Sequence, residues 1–168
     1  MPITDELQDH ITVNVNVPSV NIPSHPLFAP VVEDIQRKVS NLERLKPIVG
    51  SRVANRAKLN QMQSIKALDA ICSGALYNSI RVQGGGNEYR VGTNSSKNGY
   101  WYLINGRNAI DLTGEPRIMI FQHKCGGRWV KAKRVREAAP KNYMEHSRPN
   151  TERDIKQIVE EEVSHAMA

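Results

Sequence analysis

Aromatic residues are scarce in this chain, 5% of 168 positions, and cysteines scarcer still, at two. With few rings available, a core must be built mainly from aliphatic side chains, with Trp101 and Trp129 as packing anchors. Cys72 and Cys125 lie far apart and form no C-x-x-C pair. That argues against a disulfide framework and for reduced thiols. The amino terminus lacks a basic stretch followed by an apolar run, so no secretion signal is visible. Nowhere is there an apolar run of bilayer length. The expectation is a soluble protein, made in the cytoplasm, with no membrane partner. Internal repeats and low-complexity tracts are absent too.

Chemistry-bearing constellations are also lacking. Gly84–Gly86 is followed by neither Lys-Ser nor Lys-Thr and opens no helix, so it is not a phosphate loop. The five histidines are scattered, and His123 with Cys125 finds no second ligand pair at metal-site spacing. Ser73, beside Gly74, lacks the surroundings of a nucleophile elbow. The expectation is no enzyme, no catalytic residue, no cofactor and no metal. A small hydrolase using His123 or His146 is the weakest of the readings considered.

What the sequence does have is a change of period along its length. Ile11, Val13, Val15 and Val17 alternate with polar residues, which is strand periodicity. Pro18, Pro23, Pro26 and Pro30 then interrupt the chain. Such a segment is a partly ordered tail, an edge strand, or an arm laid across a neighbouring subunit. An arm covers the apolar edge that a lone strand would expose. Residues 1–30 are therefore expected as an extended arm contacting a partner through those four side chains, ahead of a single domain, residues 31–168. Val31, Val32, Ile35, Val39, Leu42 and Leu45 predict an amphipathic helix ending before Pro47. A second helix is predicted over about residues 51–77, with Val53, Ala57, Met62, Ile65, Leu68, Cys72 and Leu76 on its apolar stripe and Gln61 off it.

From Ile80 onward the pattern shortens to strands. Arg81–Gln83 and Tyr89–Val91 flank Gly84, Gly85 and Gly86, which suit a tight hairpin. Ile110–Leu112 and Ile118–Phe121 flank a second turn at Thr113–Pro116, and Trp129–Val135 follows. The apolar run Tyr100–Ile104, containing Trp101, ends at Gly106. A last helix, capped at Asn150 or Thr151, carries Ile155, Ile158, Val159, Val163 and Met167 on one face. Together these predict an α+β fold: a small, mostly antiparallel sheet packed with a long helix and a C-terminal helix, plus the arm.

The net charge is +6. Arg117, Lys124, Arg128, Lys131, Lys133, Arg134 and Arg136 fall in a stretch with no Asp or Glu. On a strand, Lys131 and Lys133 share a face with Trp129 and Val135, and Arg128 and Arg134 point the other way. Three readings stand side by side. The hairpin is simply solvated, it neutralises phosphates, or it meets acidic groups of a neighbouring subunit, of the Glu160–Glu162 kind. Lys131, Lys133 and Arg134 are the candidate partner contacts.

From Ala57 to the C-terminus the order of parts is distinctive. A long helix leads to Ser73-Gly74-Ala75-Leu76-Tyr77-Asn78-Ser79-Ile80, then a glycine hairpin and Tyr100–Arg107. A basic strand pair, Ala139-Pro140-Lys141-Asn142-Tyr143-Met144 and an amphipathic helix follow. This resembles the tail-completion or neck proteins of long-tailed bacteriophages, whose T-G-x-L-x-x-S-I element follows a long helix. The chain departs from that pattern where Ala70 or Ile71 replaces a proline and Asn105 an acidic residue. The resemblance implies a structural virion protein of the head–tail interface, in which Gly74, Leu76, Gly84–Gly86, Trp101 and Gly106 have structural roles. It implies a closed ring of copies, with six expected, between a head-side connector or adaptor and the tail tube or tail terminator protein. DNA would pass through the lumen. A small basic nucleic-acid-binding protein, using Lys131, Lys133 and Arg134 with Trp129 or Trp101, is the alternative.

Overall fold

The computed structural model describes residues 7, 9–17, 29–68, 70, 74–94, 101–122 and 128–167. Its centre is one helix, α1, spanning Ala29–Ala67 with Pro47 inside it. The expected break at Pro47 does not occur, nor does the helix run on to Tyr77. Proline removes one helical hydrogen bond, but the residues beyond it are gripped: Val49, Val53, Ala54 and Ala57 are all buried. The Pro47 carbonyl also accepts a hydrogen bond from the Tyr89 hydroxyl at 3.0 Å. Packing on the far side outweighs the missing bond. A separate short helix, α2 (Ala75–Ser79), starts after Gly74, whose φ is +78°. It places Leu76 in the core.

Strands β1 (Asp9–Asn14), β2 (Arg81–Gly85) and β3 (Glu88–Thr93) form an antiparallel sheet in the order β1-β3-β2. β2 and β3 make the expected hairpin, with Gly84 at φ +105° and Gly86 at φ +65°. Gly85 sits in β2 with an open surface around it. β1 corrects, for residues 9–17, the reading of this stretch as an arm reserved for a neighbour; residues 1–6, 8 and 18–28 lie outside the described residues. β1 pairs with β3 of its own chain, Ile11 opposite Val91 and Val13 opposite Tyr89. Val13 is buried in the core and Val15 packs against it, while Ile11 and Val17 are half-buried. The apolar alternation is thus covered within the molecule. Close approach needs a glycine at Gly92, where a β-carbon would collide with the Asp9 carbonyl.

A 25-residue helix, Tyr143–Met167, closes the fold. It starts earlier than the expected cap at Asn150 or Thr151. The cap is Asn142, whose Oδ1 accepts the Glu145 amide at 3.2 Å. Thr151 is mid-helix, its hydroxyl donating to the Ser147 carbonyl at 3.0 Å. This helix runs antiparallel to α1. Rising positions on α1 meet falling ones opposite: Arg52 with Glu161 and Glu162, Asn60 with Asp154, Ser64 with His146.

α1 packs against this helix on one side and against the sheet on another, so two of its faces are covered. Gln61, expected off the apolar stripe, is fully buried and donates to the Val91 carbonyl at 3.0 Å. Asn60, Ser64, Ser147 and Thr151 are buried beside it. The Asn60 amide donates to Thr151 Oγ1 at 3.3 Å and to Asp154 Oδ2 at 3.1 Å. The core around this seam comprises Val53, Ala57, Ile65, Leu76, Ile80, Val91, Tyr143 and Ile158, among others. The α+β class is as expected. Trp101–Asn105, in the apolar run, forms a short helix, α3. The Trp101 side chain, Cys72, Ser73, His123 and Cys125 lie outside the described residues. In order after α3, the closing helix is α4.

Candidate functional site

Between α3 and α4 the chain leaves the body as a two-stranded ribbon. Its strands are β4 (Ile110–Asp111), β5 (Met119–Gln122), β6 (Trp129–Ala132) and β7 (Arg134–Val135). The expected hairpin between Ile110–Leu112 and Ile118–Phe121 is not formed. Instead β5 pairs with β6, and β4 pairs with β7 outside them. An Arg107–Ala138 bridge closes the base, where Gly106 turns at φ +75°.

The reason lies in residues 111–118. The Asp111 carboxylate accepts from the Thr113 amide at 2.8 Å and from its hydroxyl. The Glu115 amide donates back to the Leu112 carbonyl at 3.0 Å. This local turn bulges out of one strand and does not reverse the chain. The Leu112 amide then donates to the Lys133 carbonyl at 2.8 Å, carrying the ribbon past the bulge.

Register sorts the side chains, because residues paired across an antiparallel ladder lie on one face. Met119 with Ala132, and Val130 two residues before it, lie on one side; Ile120 with Lys131, and Trp129 two residues before it, lie on the other. On the second side Trp129 is 69% exposed and Ile120 59%, and Lys131 is exposed too. Ile118, just before β5, is 48% exposed. The ribbon strands pack principally against each other, so this row of large apolar groups has little cover from the body. Such exposure in one place marks an interaction surface more often than chance scatter does.

The three cations expected to contact partners separate here. Lys131 belongs to the exposed row. Lys133 lies at the bend between β6 and β7, half-buried, with Nζ donating to the Glu115 carbonyl. Lys131 and Lys133 therefore do not present one common solvent face. Arg134 reaches the Asp111 carboxylate at 2.8 Å and Thr113 Oγ1 at 2.9 Å. The Thr113 hydroxyl and amide, and then the Arg134 charge, hold the Asp111 carboxyl below its ordinary value. Lys133 and Arg134 brace the bulge; Lys131 faces outward with Trp129.

Other places offer less. His146 shares a hydrogen bond with Ser64 Oγ at 3.1 Å and has no acid–base partner set around it among the described residues. No group of three or more His, Cys, Asp or Glu is gathered for a metal among the described residues. Among them, too, no helix is long and apolar enough to cross a membrane. A cavity of about 270 Å³ lies between β1 and the start of α4, beside His10 and Arg148. Two of its polar groups are already engaged: Asn142 caps α4, and Arg148 pairs with Glu152 at 3.0 Å.

The chain matches no family model, no curated protein and no solved structure. The apolar row was not recognised from sequence, although Ile118-Met119-Ile120-Phe121 carried a signal for it. Four consecutive large apolar residues in a thin ribbon leave two of them without a core to face.

Proposed function

We propose that this chain is a structural subunit of the head–tail interface of a long-tailed bacteriophage, a neck or tail-completion protein. It works as a closed ring of copies joining the head-side connector to the tail tube. The observation that carries the proposal is the exposed row Ile118, Ile120, Trp129 and Lys131 on a ribbon that the body does not cover. Large apolar groups flanked by charge suit a protein–protein contact, where aromatic anchors carry most of the binding energy. The order of parts from α1 through the glycine hairpin and basic ribbon to α4 supports the phage reading through the resemblance described above. The buried residues of α1 and α4 act in this reading as a scaffold and take part in no reaction.

The test is made during infection. A phage whose copy of this gene carries Trp129→Ala with Lys131→Glu should yield filled heads and finished tails that remain separate in the lysate. Normal joining of heads to tails would reject the proposal.

One observation favours a second reading. Arg128 and Lys131 are exposed within two residues of Trp129, and Arg136 is exposed farther down the ribbon, which suits phosphate contacts with base stacking. In that case the isolated wild-type protein would retain duplex or single-stranded DNA in a strongly salt-dependent way. The exposed isoleucines rank the protein contact first, because phosphate backbones give them nothing apolar to cover.

A further inference from the structure

We infer that the outward row of the ribbon docks on the acidic C-terminal half of α4 in a second copy of this chain. This rests on the ring reading and names the contact that would build the ring. The first argument is charge segregation. Residues 107–138 hold eight Lys and Arg against three Asp and Glu, a net +5 out of the whole chain's +6. Residues 143–167 hold six Asp and Glu against three Lys and Arg, a net −3. Within that helix the Lys and Arg all precede Gln157, and Glu160, Glu161 and Glu162 follow it. From α1, Arg52 reaches across to Glu161 and Glu162, leaving Glu160 exposed beside them.

The second argument is apolar. Val159, adjacent to Glu160, is 38% exposed, and Leu59 on α1 is 49% exposed. Leu59 and Ile158 line an open depression of about 300 Å³ between the two helices, together with Ser51, Asn55 and two arginines, Arg52 and Arg56, each of which reaches an α4 carboxylate, Glu161 and Asp154. Trp129 is the matching anchor, a large side chain standing out from the ribbon. Neither surface satisfies the other inside one molecule, since the ribbon strands do not pack extensively on α4. Two different, complementary patches on one chain give a heterologous contact, which repeats head to tail and closes into a ring when the rotation allows.

The test uses the purified full chain in sedimentation velocity over a range of concentration and salt. Lys131→Glu and Glu160→Lys are compared singly and as an equimolar mixture. Each alone should raise the dissociation constant for self-association at least about tenfold, since it sets like charges face to face. The mixture should recover, because alternating copies then place opposite charges at every contact. Trp129→Ala should weaken association as well, at unchanged charge. Wild-type association should weaken as salt rises.

Association of Glu160→Lys at wild-type strength would overturn the inference. So would failure of the mixture to recover, or a wild type that stays monomeric throughout. Intact self-association of Lys131→Glu together with lost retention of DNA would assign the ribbon to nucleic acid instead. The neck reading is tested separately, by head–tail joining. If that joining requires the chain while Glu160→Lys associates normally, this contact falls and the neck reading stands.

Discussion

The α1–α4 seam and the ribbon use the same kinds of residue in opposite ways. In the seam, buried polar groups are answered, Asn60 by Thr151 and Asp154 and Ser64 by His146; on the sheet side the Gln61 amide is answered by the Val91 carbonyl, while its Oε1 has no partner among the described residues. In the ribbon, apolar groups are exposed and unanswered, with Trp129 at 69% and Ile120 at 59%. A satisfied buried polar contact adds little net stability but penalises any slip of register, since a lost partner leaves a desolvated group. An exposed indole adds little to the monomer and leaves its burial for another surface. The first arrangement holds a shape, and the second offers one. Stability should therefore respond to the seam and sheet, and association to the ribbon.

The largest effect is expected at Tyr143, which is fully buried where α4 begins. Tyr143→Ala should cost about 3–5 kcal/mol, as truncation of a buried aromatic does, read from denaturant midpoints. Tyr143→Phe sharpens the point, because the hydroxyl has no hydrogen-bond partner among the described residues. An unfolded tyrosine ionises near pH 10, whereas burial, with the Asp9 charge as a lesser cause, raises the Tyr143 pKa. Above that pH the unfolded state releases a proton that the folded state keeps, so wild-type stability falls as pH rises. The phenylalanine variant lacks this loss and should gain on wild type through the alkaline range. A wild-type lead that widens there would refute the burial argument.

A middle-sized effect is expected at Gly92. Its β-carbon would strike backbone atoms of Asp9 and His10, and backbone yields less easily than a flexible side chain. Gly92→Ala should cost about 1–3 kcal/mol, the range of an overpacked site. The cause can be isolated by making the same change in a chain that begins after Asn14. Without β1 the shortened chain is less stable, but the added methyl should then cost close to nothing. An undiminished cost there would place the clash somewhere other than β1.

These contrasts also mark what could be read from sequence. The α+β class, the Gly84–Gly86 hairpin and the packing of Ile155 and Ile158 of the last helix follow from local periodicity and turn chemistry, which are written in neighbouring residues, whereas Val159, expected on the same face, is exposed. The unbroken helix through Pro47 was not legible. What holds it is burial of Val49, Val53 and Ala57 against elements far along the chain. Burial of Gln61 was hidden for the same reason: a helix packed on another helix and on a sheet buries a second face, which a single apolar stripe does not reveal. The nested pairing of β4 with β7 depended on Asp111 and Thr113 forming a bulge where a turn signal suggested a hairpin. The cations were read as a run, yet Lys133 and Arg134 are tied to the bulge while Lys131 faces out. Sequence gave their charge; only register across the ribbon separated their roles.

The smallest stability effect is expected at the largest exposed side chain. Trp129→Ala should change the unfolding free energy by no more than about 0.5 kcal/mol, as exposed substitutions do. Replacing the other aromatic of this comparison, Tyr143, should cost several times more. The physical reason is that the indole is 69% exposed in the folded monomer, so unfolding returns little of its surface to water. Its partners in β5 and β6 are held by backbone pairing that the substitution leaves alone. The measurement is a pair of denaturant curves, one at low protein concentration and one at high. At low concentration the variant and wild type should superimpose. At high concentration wild type should become the more stable of the two, because association adds to the stability of whatever state it binds. A loss of several kcal/mol at low concentration would mean that Trp129 packs against its own chain, and the division between a scaffold and an offered surface would have to be redrawn.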